Sequence, residues 1–325
     1  LRIAAEKDQQ ILAGAAKDST ILVQGDNIKD KKAISLWDWE NGELPYDPLN
    51  CPTLEILLLH SQNVGFEVSS ACLERFKMLK VLAFLKFGYK WNLDFRILES
   101  YYVTLLLSQS SESLKNLHTR CLRGHKLGDI SILESLQALE ILDLRVSSFE
   151  VLPNGIVALK KLKLLDLFYC GIEEDNTYEV IGKCLQLNEL YLYTNSYAYQ
   201  EFPHTVYFSG LQRYVLIFKM NPSEVPTDML EGRRPTRALS IDDFNASVQS
   251  FISLPIKDFF QKAEYLHWKH LKGGYKNVIP SMDPQGMNQL QLLYLDDCPE
   301  IECLFDSSNV DLLQTEDAFS SLVIL

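Results

Sequence analysis

A nine-residue phrase, LxxLxLxx(N/C), recurs along this chain and limits the folds open to it more than any other feature. It stands almost intact at Leu162-Lys163-Leu164-Leu165-Asp166-Leu167-Phe168-Tyr169-Cys170. It returns on Leu187, Leu190, Leu192 and Asn195, and again on Leu290, Leu293, Leu295 and Cys298. Weaker copies begin at Leu54, Leu79, Leu117, Leu139, Leu211, Thr236 and Ala263, with partial ones at Lys31, Ile34, Leu36 and at Phe319, Leu322, Ile324. From Leu117 to Leu290 neighbouring starts lie 22 to 27 residues apart, and Leu54 to Leu79 is 25, but Leu79 to Leu117 is 38. Leucine supplies 54 of the 325 residues, which is what such a phrase demands.

In an extended segment side chains alternate between two faces, so the LxL core puts its leucines on one face only. One such strand cannot bury that face, but stacked copies can, through a continuous parallel sheet over a shared core. The period falls in the range of leucine-rich repeats. The expected fold is therefore α/β: an irregular leucine-rich-repeat solenoid, a curved horseshoe with a parallel β-sheet on its concave face and short helices or loops on its convex face. Leu44-Pro45, and Leu152-Pro153 with Ile156 and Leu159, fit the convex returns, since proline fixes φ at a turn. The ninth place of the phrase usually bonds backbone groups in the turn after the strand. Here it reads Gln62, Phe87, His125, Ser147, Cys170, Asn195, Lys219, Phe244, Leu271 and Cys298. Only Cys170, Asn195 and Cys298 fit, which predicts an irregular stack.

Residues 1–30 read as an N-terminal cap or a linker from an upstream module, and 31–325 as the solenoid. The 38-residue step marks 88–116 as an irregular or inserted segment; Tyr102–Leu107 is the one place there that can hide a degraded copy. A chain opening at Leu1 rather than Met reads as a piece of something longer, and the apolar Leu322–Leu325 reads as a fresh strand with more repeats to follow.

Several phrases are similar to a known family. Ile34-Ser35-Leu36, Gly42-Glu43-Leu44-Pro45 and Cys51-Pro52-Thr53-Leu54 resemble the first repeats of plant nucleotide-binding leucine-rich-repeat disease resistance proteins. The stretch 127–170 resembles the coiled-coil class of these receptors almost phrase for phrase, and 290–305 and 318–325 are similar too. Leu1–Thr20 resembles the tail behind the winged-helix region of their nucleotide-binding module. The resemblance implies a cytoplasmic immune receptor. Its repeats hold a resting state against its own nucleotide-binding module and help recognise a pathogen effector or a guarded host protein. ADP and ATP would enter only through that upstream module, because this chain has no GxxxxGK[ST] phosphate loop. Ile181-Gly182-Lys183-Cys184 is the nearest fragment, and the MHD tripeptide and an N-terminal coiled coil are also lacking. The alternative is a stand-alone leucine-rich-repeat adaptor, such as a substrate-selecting subunit of a ligase complex.

The residues offer little for catalysis. There is no GxSxG, no HExxH and no orderable Ser/His/Asp set, so the chain reads as a non-enzyme without cofactor or metal of its own. His267 and His270 in HWKH would suit a metal on a helix, but on the strand expected around Leu266 they face opposite ways. Cys298 and Cys303 lack a second pair. Asp242-Asp243 and Asp296-Asp297 read as solvated turns. Seven cysteines without a CxxC pair read as reduced thiols. The longest apolar runs are far short of a membrane span. A net charge of −12 argues against nucleic acid.

What remains is the outward stripe of the strands. Arg123, Arg145, Phe168, Tyr191, Tyr193, Tyr265, His267, Lys269 and Tyr294 fall at outward places, and aromatic and Arg side chains are enriched at protein-interface hot spots. The same pattern arises when aromatics merely cover their strand neighbours. The chain's end is acidic: no Lys or Arg follows Lys276, while Asp283, Asp296, Asp297, Glu300, Glu302, Asp306, Asp311, Glu316 and Asp317 do. That end can meet a basic partner patch or simply solubilise the chain; the sequence supports both readings.

Overall fold

The computed structural model describes residues 10–15, 29–37, 51–61, 75–86, 103–104, 114–174, 176–194, 210–221, 224–225, 236–245, 256–283, 286–306, 308 and 319–323. The chain forms two compact units, Leu1–Leu187 and Asn188–Leu325.

The first unit runs through β1 (Ile11–Ala15), β2 (Ala33–Trp37), β3 (Ile56–Ser61), β4 (Val81–Lys86), β5 (Val103–Thr104), β6 (Thr119–Arg123), β7 (His125–Gly128), β8 (Ile141–Asp143), β9 (Ser148–Val151), β10 (Leu164–Leu167) and β11 (Gly171–Glu174). One parallel sheet is ordered β1-β2-β3-β4-β6-β8-β10, and a second is ordered β11-β9-β7-β5. Phrase leucines face inward: Leu57, Leu59, Leu82, Leu122, Leu142, Leu144, Leu165 and Leu167 are all buried. The described returns hold short helical turns, as expected, and also the strands β5, β7, β9 and β11 of the second sheet, which the phrase did not predict. A 3₁₀ turn at Asn154–Ala158 follows Pro153 and buries Ile156, with Leu159 buried behind it. Another spans Ser131–Ser135, and helix α1 (Thr177–Ile181) closes the unit. β1 lies within the stretch read as cap or linker and pairs in register with β2, Ile11 facing Ala33.

The 38-residue step is a single interstrand step, because β4 pairs directly with β6 (Val81 facing Thr119). The described part of the suspected hidden copy, Val103–Thr104, is instead β5, and it pairs with β7 in the second sheet. β5 thus stands to β4 as β7 stands to β6. One residue, Gly124, separates β6 from β7, whereas residues 87–102 separate β4 from β5. The extra length falls inside one repeat, and without it the step returns to ordinary repeat length.

The second unit runs through β12 (Glu189–Thr194), β13 (Arg213–Phe218), β14 (Arg237–Asp242), α2 (Lys257–Lys262), β15 (Tyr265–Lys269), β16 (Asn277–Ile279), β17 (Leu292–Asp296) and β18 (Cys303–Phe305). Its main sheet is ordered β12-β13-β14-β15-β17, and β16 pairs with β18. Between β13 and β14 the phrase slips: Leu216, the sixth residue of its copy, faces Leu239, the fourth residue of the next. A slip of two keeps every side chain on its face, so the core continues through Tyr214, Leu216, Leu239, Ile241, Leu266 and Trp268. α2 seals it, with the Tyr214 hydroxyl donating to the Phe259 carbonyl at 2.7 Å and the Phe260 ring 4.7 Å from Trp268. The last copy is framed three residues later than its spacing suggested. The Leu322 amide donates to the Phe319 carbonyl and the Val323 amide to that of Gln291, the pattern that Leu290 and Gln291 make one repeat earlier. Leu44, Pro45, Gln62, Phe87, Asn195 and Ile324 lie outside the described residues.

Main-sheet strands leave through one left-handed residue: Gly124, Val146 and Tyr169 in the first unit, Lys219, Asp243, His270 and Asp297 in the second. Such a turn leaves backbone groups between repeats, and at four described ninth places the side chain satisfies some of them. His125 Nε2 lies 3.3 Å from the Phe84 carbonyl. Ser147 Oγ donates to the Leu122 carbonyl at 2.5 Å, Cys170 Sγ to that of Leu144 at 3.0 Å, and Cys298 Sγ to that of Trp268 at 3.6 Å. Each acceptor is the sixth residue of the preceding copy. The same atoms take the ninth-place amide behind them: His125 N–H donates to Ser147 Oγ at 3.1 Å, Ser147 N–H to Cys170 and Leu271 N–H to Cys298. Ser147 and His125 therefore serve in a ladder that the sequence pattern assigned to Asn and Cys alone.

Two outcomes follow. Ser147→Ala strands the Leu122 carbonyl and the His125 amide, and should lower unfolding free energy by about 1–3 kcal/mol in denaturant titration. Ser147→Cys, the residue used one repeat later, should lose clearly less; equal losses would remove the ladder argument. The six described cysteines are free. Burial pushes the Cys170 thiol well above its ordinary range and the Cys184 thiol up to about 11, whereas Cys303 is exposed. Native-state alkylation read by mass spectrometry should label Cys303 first and Cys51, Cys170 and Cys184 only on unfolding.

Candidate protein-binding face

In the first unit, the outward places of β6, β8 and β10 carry a staggered ion lattice. Asp143 and Asp166 hold the fifth place of their copies, and Arg123 and Arg145 the seventh. Arg123 Nε donates to Asp143 Oδ2 at 2.7 Å, with Nη2 on the same oxygen, and Arg145 Nε donates to Asp166 Oδ2 at 3.1 Å, again with Nη2. Each guanidinium thus reaches the next repeat. The other carboxylate oxygens are occupied by their own chain: Asp143 Oδ1 takes the Arg145 amide at 3.2 Å and Asp166 Oδ1 the Phe168 amide at 3.0 Å. Both acids are buried and satisfied, so their charge is fixed in place. Burial works against the Arg123 charge, but the hydrogen bond and charge of Asp143 outweigh it and hold the guanidinium above its ordinary range. Beside it, burial first and Asp143 second push the half-buried Cys121 thiol up to about 12. Side-chain exposure is 36% for Arg123 and 17% for Arg145. Phe168, expected on the outer face, is fully buried edge-to-face against Tyr169, with ring centroids 4.9 Å apart.

In the second unit, four expected surface residues are buried: Tyr191, Tyr193, Tyr265 and His267. The Tyr191 hydroxyl donates to Glu189 at 3.1 Å, and that of Tyr193 to the Met220 carbonyl. Tyr265 stacks on Tyr294 with centroids 5.5 Å apart, and Tyr294 is half-buried. His267 Nδ1 lies 3.2 Å from Ser240 Oγ, and burial lowers its pKa, which favours the neutral ring near pH 7. Lys269 donates to Glu224 at 2.8 Å and lies 3.8 Å from Asp296. Hydrogen bonding to Glu224 raises its pKa despite desolvation. Of the nine expected residues, Arg123, Arg145, Lys269 and Tyr294 thus keep part of their side chains open to solvent.

His267 and His270 serve different places. His270 sits past the strand in the left-handed turn, its Nδ1 2.7 Å from Asp242 and its Nε2 3.5 Å from Asp297. Asp243 takes Lys272 at 2.7 Å. The aspartate pairs therefore split between partners. Among the described residues no group of three or more His, Cys, Asp or Glu side chains is placed to hold a metal. Cys298 works in the ladder. Asp296, Asp297, Glu300 and Glu302 are exposed together, whereas Asp283 is buried and accepts from Gln261 at 3.0 Å and from the Met287 amide at 2.8 Å. Sequence reasoning missed Met220, Glu224 and Ser240. They lie off the repeat phrase or at small outward places, and no spacing signal marks them.

No protein-family model matches the chain, and no curated protein matches it in sequence. No helix among the described residues is long and apolar enough to cross a membrane. Among solved structures, the leucine-rich-repeat ectodomain of the Arabidopsis receptor kinase HAESA, in complex with an N-terminally extended IDA peptide hormone ligand, is similar over 87% of this chain, with TM-score 0.50 and 14% identity. An internalin of Listeria monocytogenes covers 94% of this chain and 85% of its own, with TM-score 0.47 and 14% identity. The ectodomain of the Arabidopsis thaliana receptor kinase GASSHO1/SCHENGEN3, in complex with Casparian Strip Integrity Factor 2, covers 88%, with TM-score 0.44 and 13% identity. The chain spans 44% of the length of the HAESA chain and 37% of the GASSHO1 chain. With its parallel strand order and its inter-repeat ladder, the chain has the leucine-rich-repeat solenoid fold.

Proposed function

We propose that this chain is a non-catalytic protein-recognition module of a plant-type nucleotide-binding leucine-rich-repeat immune receptor, working in the cytoplasm. The observation that carries the recognition role is the arginine–aspartate lattice. Buried carboxylates hold Arg123 and Arg145 in fixed orientations before any partner arrives, so a partner loses little side-chain entropy on docking. An ordered guanidinium beside half-open Ile141 and Leu164 suits a protein surface better than a small polar substrate. The HAESA ectodomain holds a peptide hormone on the same fold, which supports recognition by analogy of fold alone.

The receptor assignment draws on the resemblance of 31–60, 127–200 and 290–325. In that reading the partners are the receptor's own nucleotide-binding module and an effector or guarded host protein. The exposed acids Asp296, Asp297, Glu300 and Glu302 meet a basic patch on the module and help hold the resting state. ADP and ATP act only through the module.

The test has two arms. The full transcript should carry an in-frame phosphate loop upstream of Leu1; a start codon just before Leu1 would overturn the receptor assignment. The separately expressed module is then titrated against the chain by calorimetry. Replacing Asp296, Asp297, Glu300 and Glu302 with Asn or Gln should weaken binding about tenfold and flatten its salt dependence. Arg123→Gln should spare this contact and weaken capture of the recognised protein. A folded Arg123→Gln chain with full recognition in the plant would remove the lattice from the mechanism.

A further inference from the structure

In the first unit, main-sheet strands from β3 onward are entered through the same tight turn. The Leu79 amide donates to the Phe76 carbonyl at 3.1 Å and the Leu117 amide to the Leu114 carbonyl at 3.0 Å, and the bond recurs from Leu54, Leu139, Leu162 and Leu187. Two residues stand between each bonded pair. Of the twelve in these six turns ten are exposed and none is acidic. Four are lysines, Lys77, Lys115, Lys160 and Lys161, in a chain whose acids outnumber its bases 43 to 31. Two more are Met78 and Leu185, 47% and 68% exposed; among the described residues Val323 is the only other large hydrophobic left so open. The turns stack along one edge. Asn116 Nδ2 donates to the Lys77 carbonyl at 3.0 Å, and Gln186 Nε2 to the Leu159 carbonyl at 3.0 Å. Neighbouring turns therefore follow the strand spacing of about 5 Å. Lys77, Lys115, Lys160 and Leu185 hold the same place in theirs.

We propose that this edge of the first unit docks on an anionic membrane surface, with its lysines against lipid headgroups and Met78 and Leu185 entering the headgroup layer. The inference is independent of the recognition role argued above.

Charge and spacing together favour a lipid surface over an acidic protein. The carboxylates next to the turn leucines, Glu55 and Glu140, are each held by a lysine of the following repeat, Lys80 at 2.8 Å and Lys163 at 2.9 Å. Lys77, Lys160 and Lys161 make no ion pair among the described residues. The edge thus presents net positive charge. Met78 and Leu185 lie four turns apart, about 20 Å along the edge. That is too far to fill one desolvated pocket on a protein, where hot spots cluster, but a bilayer takes each apolar side chain separately. Long lysine stems can lie along apolar surface while the ammonium stays among the headgroups. Basic side chains beside scattered apolar ones combine electrostatic attraction with shallow insertion. With a net charge of −12 the chain as a whole is repelled by such a surface, so binding has to be oriented through this edge.

The test uses the full chain and vesicles of phosphatidylserine and phosphatidylcholine in equal parts, read by flotation at low and at physiological salt. The chain should float with these vesicles and not with phosphatidylcholine alone. Lys77→Gln, Lys115→Gln, Lys160→Gln and Lys161→Gln together should weaken binding by about tenfold or more, and arginine at the same four places should keep it. Met78→Ser with Leu185→Ser should weaken it severalfold and leave only binding that salt abolishes. All six side chains are exposed, so each variant should remain folded by circular dichroism. No flotation of the unaltered chain, or equal flotation of the glutamine variant, overturns the docking edge. Soluble polyglutamate that binds the chain as tightly as the vesicles do, with Met78 and Leu185 dispensable, overturns it in favour of an acidic protein partner.

Discussion

Every repeat must settle the backbone groups left open where a main-sheet strand breaks into its left-handed turn. Four described ninth-place residues do so by reaching back one repeat to the carbonyl of the sixth residue, and three of them, Ser147, Cys170 and Cys298, also meet the amide of the ninth. That geometry asks for a short side chain with a donor and an acceptor on one atom. A hydroxyl meets it in Ser147 and a thiol in Cys170 and Cys298, while His125 reaches the same carbonyl with a ring nitrogen. Hydrophobic burial stacks the repeats, but it is non-directional and tolerates sliding. The ladder is directional, and it fixes which carbonyl meets which side chain. Val146 and Tyr169 adopt φ of 58° and 59° although neither is glycine. A β-branched residue there costs free energy, and the ladder bonds of the neighbouring Ser147 and Cys170 oppose that cost.

The same two-sided logic orders the outer face of the first unit. Asp143 and Asp166 each spend one carboxylate oxygen on an amide two residues along their own chain and the other on an arginine from the repeat before. Removing either arginine would leave a buried carboxylate with its charge uncompensated, which costs more than the pair contributes. The lattice is therefore a constraint on sequence as much as a source of stability. Arg120 shows the opposite case. It takes the inward fourth place where the phrase wants leucine, stacks its guanidinium 5.2 Å from the Phe84 ring centroid, and burial draws its pKa down to about 10. Its Nη1 has no hydrogen-bond partner among the described residues. This strained place falls in the first strand after the 38-residue step.

Parity was the legible part of the sequence. A two-residue alternation and a 22-to-27-residue period determine the sheet, its parallel sense and nearly every inward residue, and they survive the slip between β13 and β14 because the slip is even. Frames were less legible. Phe319 and Leu322 are spaced like the phrase's first two leucines, yet Phe319 plays the part of the residue three places before a start, as Phe76 and Met287 do. Exposure was hardly legible at all. Alternation says which face a side chain leaves from, not what lies over that face. Tyr193, Tyr265 and His267 point outward as their places require and are buried all the same, in part because Met220 and its neighbours return across the sheet.

The departures from the repeat are thus where this solenoid becomes individual. A perfect copy specifies only its neighbours, since each repeat meets the next through the same contacts. The extra residues between β4 and β5 are absent from the phrase, and so is Met220, which adds contacts that no repeat requires. Met220 on the outward face contributes nothing to stacking the leucines; it accepts the Ser240 hydroxyl on its thioether and the Tyr193 hydroxyl on its carbonyl. Ser240 and His267 are buried on that face and lie 3.2 Å apart. Aliphatic side chains at those two places would have packed without any hydrogen bond to satisfy, and polar ones are retained at a cost that stacking alone gives no reason to bear.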